Sequence, residues 1–371
     1  MSGKQLKRVL VWALVALVPL RCGLHAEKAF GGRGARIAIA ELVGHGDVER
    51  IYAHGPGGRI VEKVAIYAQE RDGSSDKIVR RGELHRYPEA QATILIAHGF
   101  MCEKEDVGFL RQIIGRGLFN TLTFDFRAHG QLTDEQQCCT FGRDEAHDVL
   151  AAAAFLREHP QLRGKPLLAY GFSMGAAALI EAAGRQDRLF DAMVLDCAFD
   201  SSETIIRKNL DNLKVSLFGY EFAMPGRSLL QRYAFQPYVQ SMIKTALKVV
   251  RNLETRNIPL RVERFAPAES IKKVSSPCLF IHCKNDDKIP VESVYKLFEC
   301  APGFKKLWVT NGRRHYDSLF YAPERYADAV RAFYELVLSG QAQDSRAEVI
   351  EDSDENVLEM DTLASSGGRT A

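Results

Sequence analysis

Six short, mainly apolar runs recur along the middle of the chain, and they limit its fold more than any other feature. They are Thr93–Ala97, Thr121–Phe126, Pro166–Tyr170, Ala192–Leu195, Cys278–His282 and Lys306–Val309. A strand wetted on one face alternates apolar and polar residues, whereas a run that is apolar throughout is buried on both faces, as in a parallel sheet. Between most of the runs lie segments with a 3.6-residue apolar period: Asp106–Gly115, Gly142–Glu158, Met174–Ala183 and Val291–Cys300. Strand alternating with helix means βαβ crossovers, so the pattern predicts an α/β fold, a mostly parallel central sheet with helices on both faces.

Around this centre the pattern changes. Val61 to Ala68 and Lys77 to His85 alternate at period two across the turn-rich Arg71–Asp76, which predicts an antiparallel hairpin toward a sheet edge. Pro323 to Leu338 reads as a last amphipathic helix, with proline in its first turn. Residues 200–270 carry no buried-strand run and are rich in Leu, Phe, Tyr, Lys and Arg, so they are expected to form a helical cap inserted between two core strands. The core is then 61–199 with 271–340, preceded by an irregular lead-in over 27–60. The segment 341–371 sets eight acidic residues against Arg346 and Arg369 and is expected to be an unfolded tail.

Residues 1–26 join Lys4, Lys7 and Arg8 to the apolar run Val9–Leu20 and end on Ala26, the layout of an export signal. That run is shorter than the roughly twenty residues a membrane-spanning helix needs. It points to a periplasmic, secreted or membrane-associated protein. Lipid anchoring through Cys22 is disfavoured because Arg21 stands where a lipoprotein site wants a small residue. Of the eight cysteines, Cys197, Cys278 and Cys283 lie in or beside apolar runs, where a free thiol behaves as a small hydrophobe. The adjacent Cys138 and Cys139 allow a vicinal disulfide or, more simply, two thiols. No Cys-x-x-Cys pattern is present, so no zinc site is expected. A net charge of +2 without basic clusters gives no case for nucleic acid.

The chemistry starts at Gly171-Phe172-Ser173-Met174-Gly175, which follows one apolar run and precedes the helix-forming Ala176–Ile180. That strand–turn–helix setting lifts a serine to the carboxyl end of the sheet. A serine hydroxyl needs a base to take its proton, and the base needs an acid to hold its tautomer. Two later strand runs end in suitable loops, one with the adjacent Asp286 and Asp287, the other with His315. His315 is the only histidine after the last run, so it is the candidate base. The residue spacing leaves the acid open between Asp286 and Asp287, with Asp196 and Asp200 as a distant alternative. An oxyanion would be held by two backbone N–H groups, one of them from Met174, next to the nucleophile.

From about Val61 to Leu338 the chain resembles the α/β-hydrolase superfamily, nearest to its serine aminopeptidase, acyl-hydrolase and lysophospholipase-like members. Asp286-Asp287-Lys288-Ile289-Pro290 is similar to their Asp-x-x-Val/Ile-Pro pattern, and the resemblance implies Asp286 as the acid. His98-Gly99-Phe100 stands where the family carries His-Gly and an apolar residue, which implies the Phe100 amide as the second oxyanion donor and a structural role for His98. Asp125-Phe126-Arg127-Ala128-His129-Gly130 resembles an architectural segment of the family, with Ala128 in place of its usual glycine. The expectation is a serine hydrolase without metal or organic cofactor, cleaving a small-molecule or lipid-like ester, thioester or amide. The same residues would serve an acyltransferase. A catalytically silent binding protein of this fold is the third reading, and the intact set Ser173, Asp286, His315 speaks against it. Phe218, Tyr220, Phe222, Leu229 and Leu230 would suit an acyl chain or a membrane surface, though packing within the insertion is the simpler account.

Overall fold

The structure, a computed structural model, describes residues 53–54, 58–115, 117–130, 137–211, 214–217, 220–223, 227–236, 258–344 and 347–352. The export signal, nearly all of the lead-in and the chain beyond 352 lie outside the described residues. Among the described residues no helix is long and apolar enough to cross a membrane.

Ten strands form one sheet: β1 (Ala53–His54), β2 (Ile60–Gln69), β3 (Lys77–Arg86), β4 (Ala92–Ala97), β5 (Phe119–Phe124), β6 (Leu167–Phe172), β7 (Ala192–Asp196), then β10 (Cys278–Cys283), β11 (Lys305–Thr310) and β12 (Glu348–Glu351). Their spatial order is β1-β2-β3-β5-β4-β6-β7-β10-β11-β12. The first three strands pair antiparallel, and β3 pairs antiparallel with β5. From β5 to β12 every pairing is parallel.

The six apolar runs are the six inner strands, and alternation along each strand feeds two cores. Leu95, Ala169 and Phe280 point into one, packed under helices α1 (Glu145–Glu158) and α2 (Met174–Arg185). Ile94, Leu168 and Ile281 point into the other, under α6 (Pro323–Leu338) with its Tyr326, Val330 and Phe333. Helices α3 (Ser202–Asp211) and α5 (Val291–Cys300) complete this layered unit, which comprises residues 50–210 and 256–371.

Three expectations need correction. The segment 106–115 is not a regular helix: successive turns with bonds three residues apart, such as Gly108 N–H to Glu105 O and Leu110 N–H to Val107 O, run into one wide turn at Arg111–Gly115. Two glycines in ten residues weaken a helix there. Second, the insertion is not wholly helical. In the stretch that falls outside the core unit, β8 (Lys214–Leu217) pairs antiparallel with β9 (Tyr220–Ala223), followed by α4 (Arg227–Tyr233). Lys-Val-Ser-Leu alternates at period two and Tyr-Glu-Phe-Ala does so over its first three residues, a strand signal too short to stand out. Of the apolar residues singled out in the insertion, Phe218 lies outside the described residues. Third, the acidic segment is not wholly unfolded: Gln341–Asp344 makes a 3-10 turn and β12 joins the edge of β11. Asp352 anchors it, accepting the Trp308 indole N–H at 3.1 Å and pairing with Arg325 at 2.8 Å.

Candidate active site

β6 ends at Phe172 and α2 starts at Met174, so Ser173 alone makes the turn between them. It does so at φ 53°, ψ −121°, a conformation that costs a non-glycine residue about 1–3 kcal/mol and persists only where surroundings enforce it. The enforcement is visible. Ser173 N–H donates to Asp196 O at the end of β7, at 2.8 Å. Gly175 lets the turn press against β4, since a Cβ there would run into the carbonyls of Ala97 and His98. Gly99 does the same for the β4 loop, where a Cβ would strike the Phe172 ring.

Asp286 follows β10 and His315 follows β11, so both stand at the carboxyl ends of parallel strands, as Ser173 does. The structure joins them: His315 Nδ1 donates to Asp286 Oδ2 at 2.7 Å. The other oxygen, Oδ1, accepts the N–H groups of Lys288 at 2.7 Å and Ile289 at 2.9 Å. Burial pushes the Asp286 carboxyl up, but the His315 hydrogen bond and charge outweigh it and hold the group below its usual range. Burial alone would lower the His315 imidazole; its bond to Asp286 and the negative charges of Asp286 and Asp196 hold it above its ordinary value.

Asp287 does not cap α5, whose N-terminal neighbour is Pro290. It is exposed, accepts the His315 backbone N–H at 3.1 Å and pairs with Lys288 at 2.9 Å. Ser173 Oγ and His315 Nε2 are not hydrogen-bonded to each other. The contact between their loops is a ring stack of Tyr316 on Phe172, centroids 4.0 Å apart and 19° between planes. Tyr316 holds φ 61° to make it. Residue patterning alone did not single out Tyr316, because the stack joins two strand ends far apart in sequence.

Met174 opens α2, so its N–H has no intrahelical acceptor. Phe100 follows Gly99 at the end of β4, its ring 5.0 Å from that of Phe141. His98 is a structural hydrogen-bonder: Nδ1 donates to Gly99 O at 2.8 Å and Nε2 accepts Phe126 N–H at 3.1 Å. The segment after β5 is architectural in its contacts. Asp125 takes the backbone N–H and Nζ of Lys104. Arg127 pairs with buried Asp148 and donates to the carbonyls of Gln69 and Glu70. Ala128 adopts φ 61°, the conformation that makes glycine usual at that position. Asp200 is committed elsewhere, to Ser293 and Lys296 of α5, each at 2.8 Å.

All seven cysteines among the described residues, Cys138 and Cys139 included, are free thiols. Among the described residues, Cys197, Asp286 and His315 are the one trio of metal-capable side chains close enough to share an ion, their atoms within 4.8 Å. The nitrogen and oxygen of His315 and Asp286 are already bonded to each other, so the trio reads as a hydrogen-bonded pair with a thiol beside it.

A protein of unassigned role from Bacillus subtilis (strain 168), YqkD, is 27% identical over 243 residues, covering 65% of this chain and 70% of its own. The esterase Pf2001 of Pyrococcus furiosus shares the fold at a TM-score of 0.54 with 19% identity, over 81% of this chain and 100% of that one. Est1E of Butyrivibrio proteoclasticus, solved with ferulic acid bound, does so at 0.50 with 16% identity, over 74% of this chain and 100% of its own. Residues 94–329, which run from β4 through the Ser173 turn and the Asp286–His315 pair into α6, match the alpha/beta hydrolase family, and the chain belongs to it.

Proposed function

We propose that this protein is a serine hydrolase that cleaves a carboxylic ester, thioester or amide through an acyl-enzyme. The observation that carries the reading is the buried Asp286 joined to His315 Nδ1 at 2.7 Å, on a loop stacked against the strained turn of Ser173. His315 Nε2 takes the proton of Ser173 Oγ as that oxygen attacks the acyl carbonyl. Asp286 fixes the imidazole tautomer and stabilises the imidazolium that forms. The amides of Met174 and Phe100 hold the developing oxyanion. His315 then returns the proton to the leaving group, and a water deprotonated by the same nitrogen releases the acid. No step in this scheme calls for a metal or an organic cofactor.

Phe172, next to Ser173, stacks on Tyr316, and Phe100, the proposed oxyanion donor, packs on Phe141. Aromatic surroundings of this kind favour an apolar acyl group in a small-molecule or lipid-like substrate over a charged peptide. Labelling by a fluorophosphonate probe tests the nucleophile: the full chain should label and Ser173→Ala should not. Persistent labelling of that variant would overturn the assignment. A series of p-nitrophenyl esters beside aminoacyl p-nitroanilides tests the substrate class, with turnover of the esters expected to dominate.

A further inference from the structure

Behind the Asp286–His315 pair lies a second carboxylate. Asp196 is the last residue of β7 and is fully buried. Its backbone carbonyl receives the Ser173 N–H. Its side chain takes the Tyr326 hydroxyl on Oδ2 at 2.6 Å. Tyr326 is bonded in turn to the Tyr170 hydroxyl at 2.8 Å, and Tyr170 to the Tyr316 hydroxyl at 3.0 Å. The chain of hydroxyls therefore runs from the strand beside the nucleophile turn to the residue next to His315. Cys197, adjacent to Asp196, brings its sulfur within 4.8 Å of both His315 and Asp286, which places β7's end against the pair.

A carboxylate without a cationic partner is costly in such a setting, and the Asp196 Oδ1 atom has no hydrogen-bond partner. Ordinary core packing would place an apolar residue there. We propose that Asp196 is a second acidic support for His315: a positioning residue that stabilises the imidazolium by its charge and, through the hydroxyls of Tyr326, Tyr170 and Tyr316, fixes the loop that carries the base. The inference rests on the reading of Ser173, Asp286 and His315 as a hydrolytic site.

Its charge is conditional. Burial raises the Asp196 carboxyl to about 6, against the opposing pull of the Tyr326 hydrogen bond, the Cys197 thiol beside it and His315. Among the described residues, the other titratable groups that face this corner are Asp286, His282 and Cys283 from β10 and its loop, Cys197, and the three tyrosines. Burial holds the tyrosines and Cys197 well above their usual values and His282 below its own. Asp286 and Asp196 are therefore the buried carboxylates that His315 feels when pH lies well above about 6, and Asp286 is increasingly the one that stays charged as pH falls through that value.

Asp196→Asn keeps the shape and an acceptor for Tyr326 but removes the charge. Tyr326→Phe keeps the charge and breaks the hydroxyl chain. The imidazole of His315, identified by the loss of its signal in His315→Gln, is titrated by NMR in the full-length wild type and both variants, alongside the pH profile of p-nitrophenyl ester hydrolysis. In Asp196→Asn the His315 midpoint and the acid limb of kcat/KM should both move to lower pH. In each variant kcat should fall about ten- to a hundredfold with KM nearly unchanged. An unmoved midpoint in Asp196→Asn, or wild-type kcat in both variants, would overturn the proposal. If the wild type neither hydrolyses esters nor labels, yet the midpoint still drops in Asp196→Asn, the hydrolase reading fails and the support of His315 by Asp196 stands.

Discussion

At Asp286 the two carboxylate oxygens serve the His315 imidazole and two loop amides, whereas the neighbouring Asp287 meets His315 only at its backbone N–H. One oxygen faces the imidazole and the other is fixed by two amides of its own loop, so the side chain cannot rotate away. Replacing it by asparagine leaves the packing but offers His315 the wrong partner, and kcat should drop by about four orders of magnitude. Asp287→Asn removes an exposed charge and its ion pair with Lys288 but keeps an acceptor for the His315 backbone N–H, so its activity should stay within about tenfold of wild type. Steady-state kinetics on the two variants discriminate the neighbours directly. The pH dependence has a definite sign. Asp286 favours the protonated imidazole, and in the proposed mechanism His315 works only when neutral, so activity should rise as pH passes the elevated His315 pKa. In Asp286→Asn that rise should occur at lower pH, on a much smaller plateau. For stability the same bond acts through a depressed carboxyl: its contribution is present above the unfolded carboxylate range and lost as pH falls through the folded value.

The site depends on close approach between elements, and one glycine shows how narrow the margin is. Gly175→Ala would drive a methyl into two carbonyls at the end of β4, where neither backbone can move without disturbing the inner sheet. The expected cost is about 3 kcal/mol or more, read as a large drop in melting temperature together with lost probe labelling. How far the elements could be read from the residues follows from the same physics. The six inner strands were legible because burial on both faces forces continuous apolar runs, and Ser173 and His315 because each follows such a run. The strand β12 was not, since Glu348-Val349-Ile350-Glu351 is exposed along its length and owes its place to β11 and to Asp352. Nor could patterning choose between Asp286 and Asp287, two polar neighbours in one loop whose difference lies in which way each side chain turns; the choice came from a family resemblance. Tyr316 and the hydroxyl chain behind it are tertiary contacts between strand ends and α6, and no local period encodes them. Asp352→Ala tests the tail at this scale. It strands the buried Trp308 N–H and removes the Arg325 partner, so it should lower stability by about 1–3 kcal/mol while leaving fluorophosphonate labelling intact.

For the molecule as a whole, the corner around Asp196 sets stability against the state the site requires. A carboxyl whose folded pKa is raised from 3.8 to about 6 is more costly to hold ionised in the fold than in the unfolded chain. The sign is the reverse of the Asp286 case: no penalty exists while the group is protonated in both states, it grows as pH climbs from 3.8 toward 6, and it is complete above that. A rise of roughly two units at about 1.4 kcal/mol each gives a penalty on the order of 3 kcal/mol at neutral pH. The asparagine variant cannot ionise and keeps an acceptor for the Tyr326 hydroxyl, so the penalty disappears while the hydroxyl chain remains. Asp196→Asn should therefore be more stable than wild type at pH 8 by about 1–3 kcal/mol and nearly equal to it at pH 4, while hydrolysing esters more slowly. Urea unfolding of both proteins at the two pH values measures this. A gain that is the same at pH 4 and pH 8 would mean that packing, rather than the buried charge, separates the two proteins.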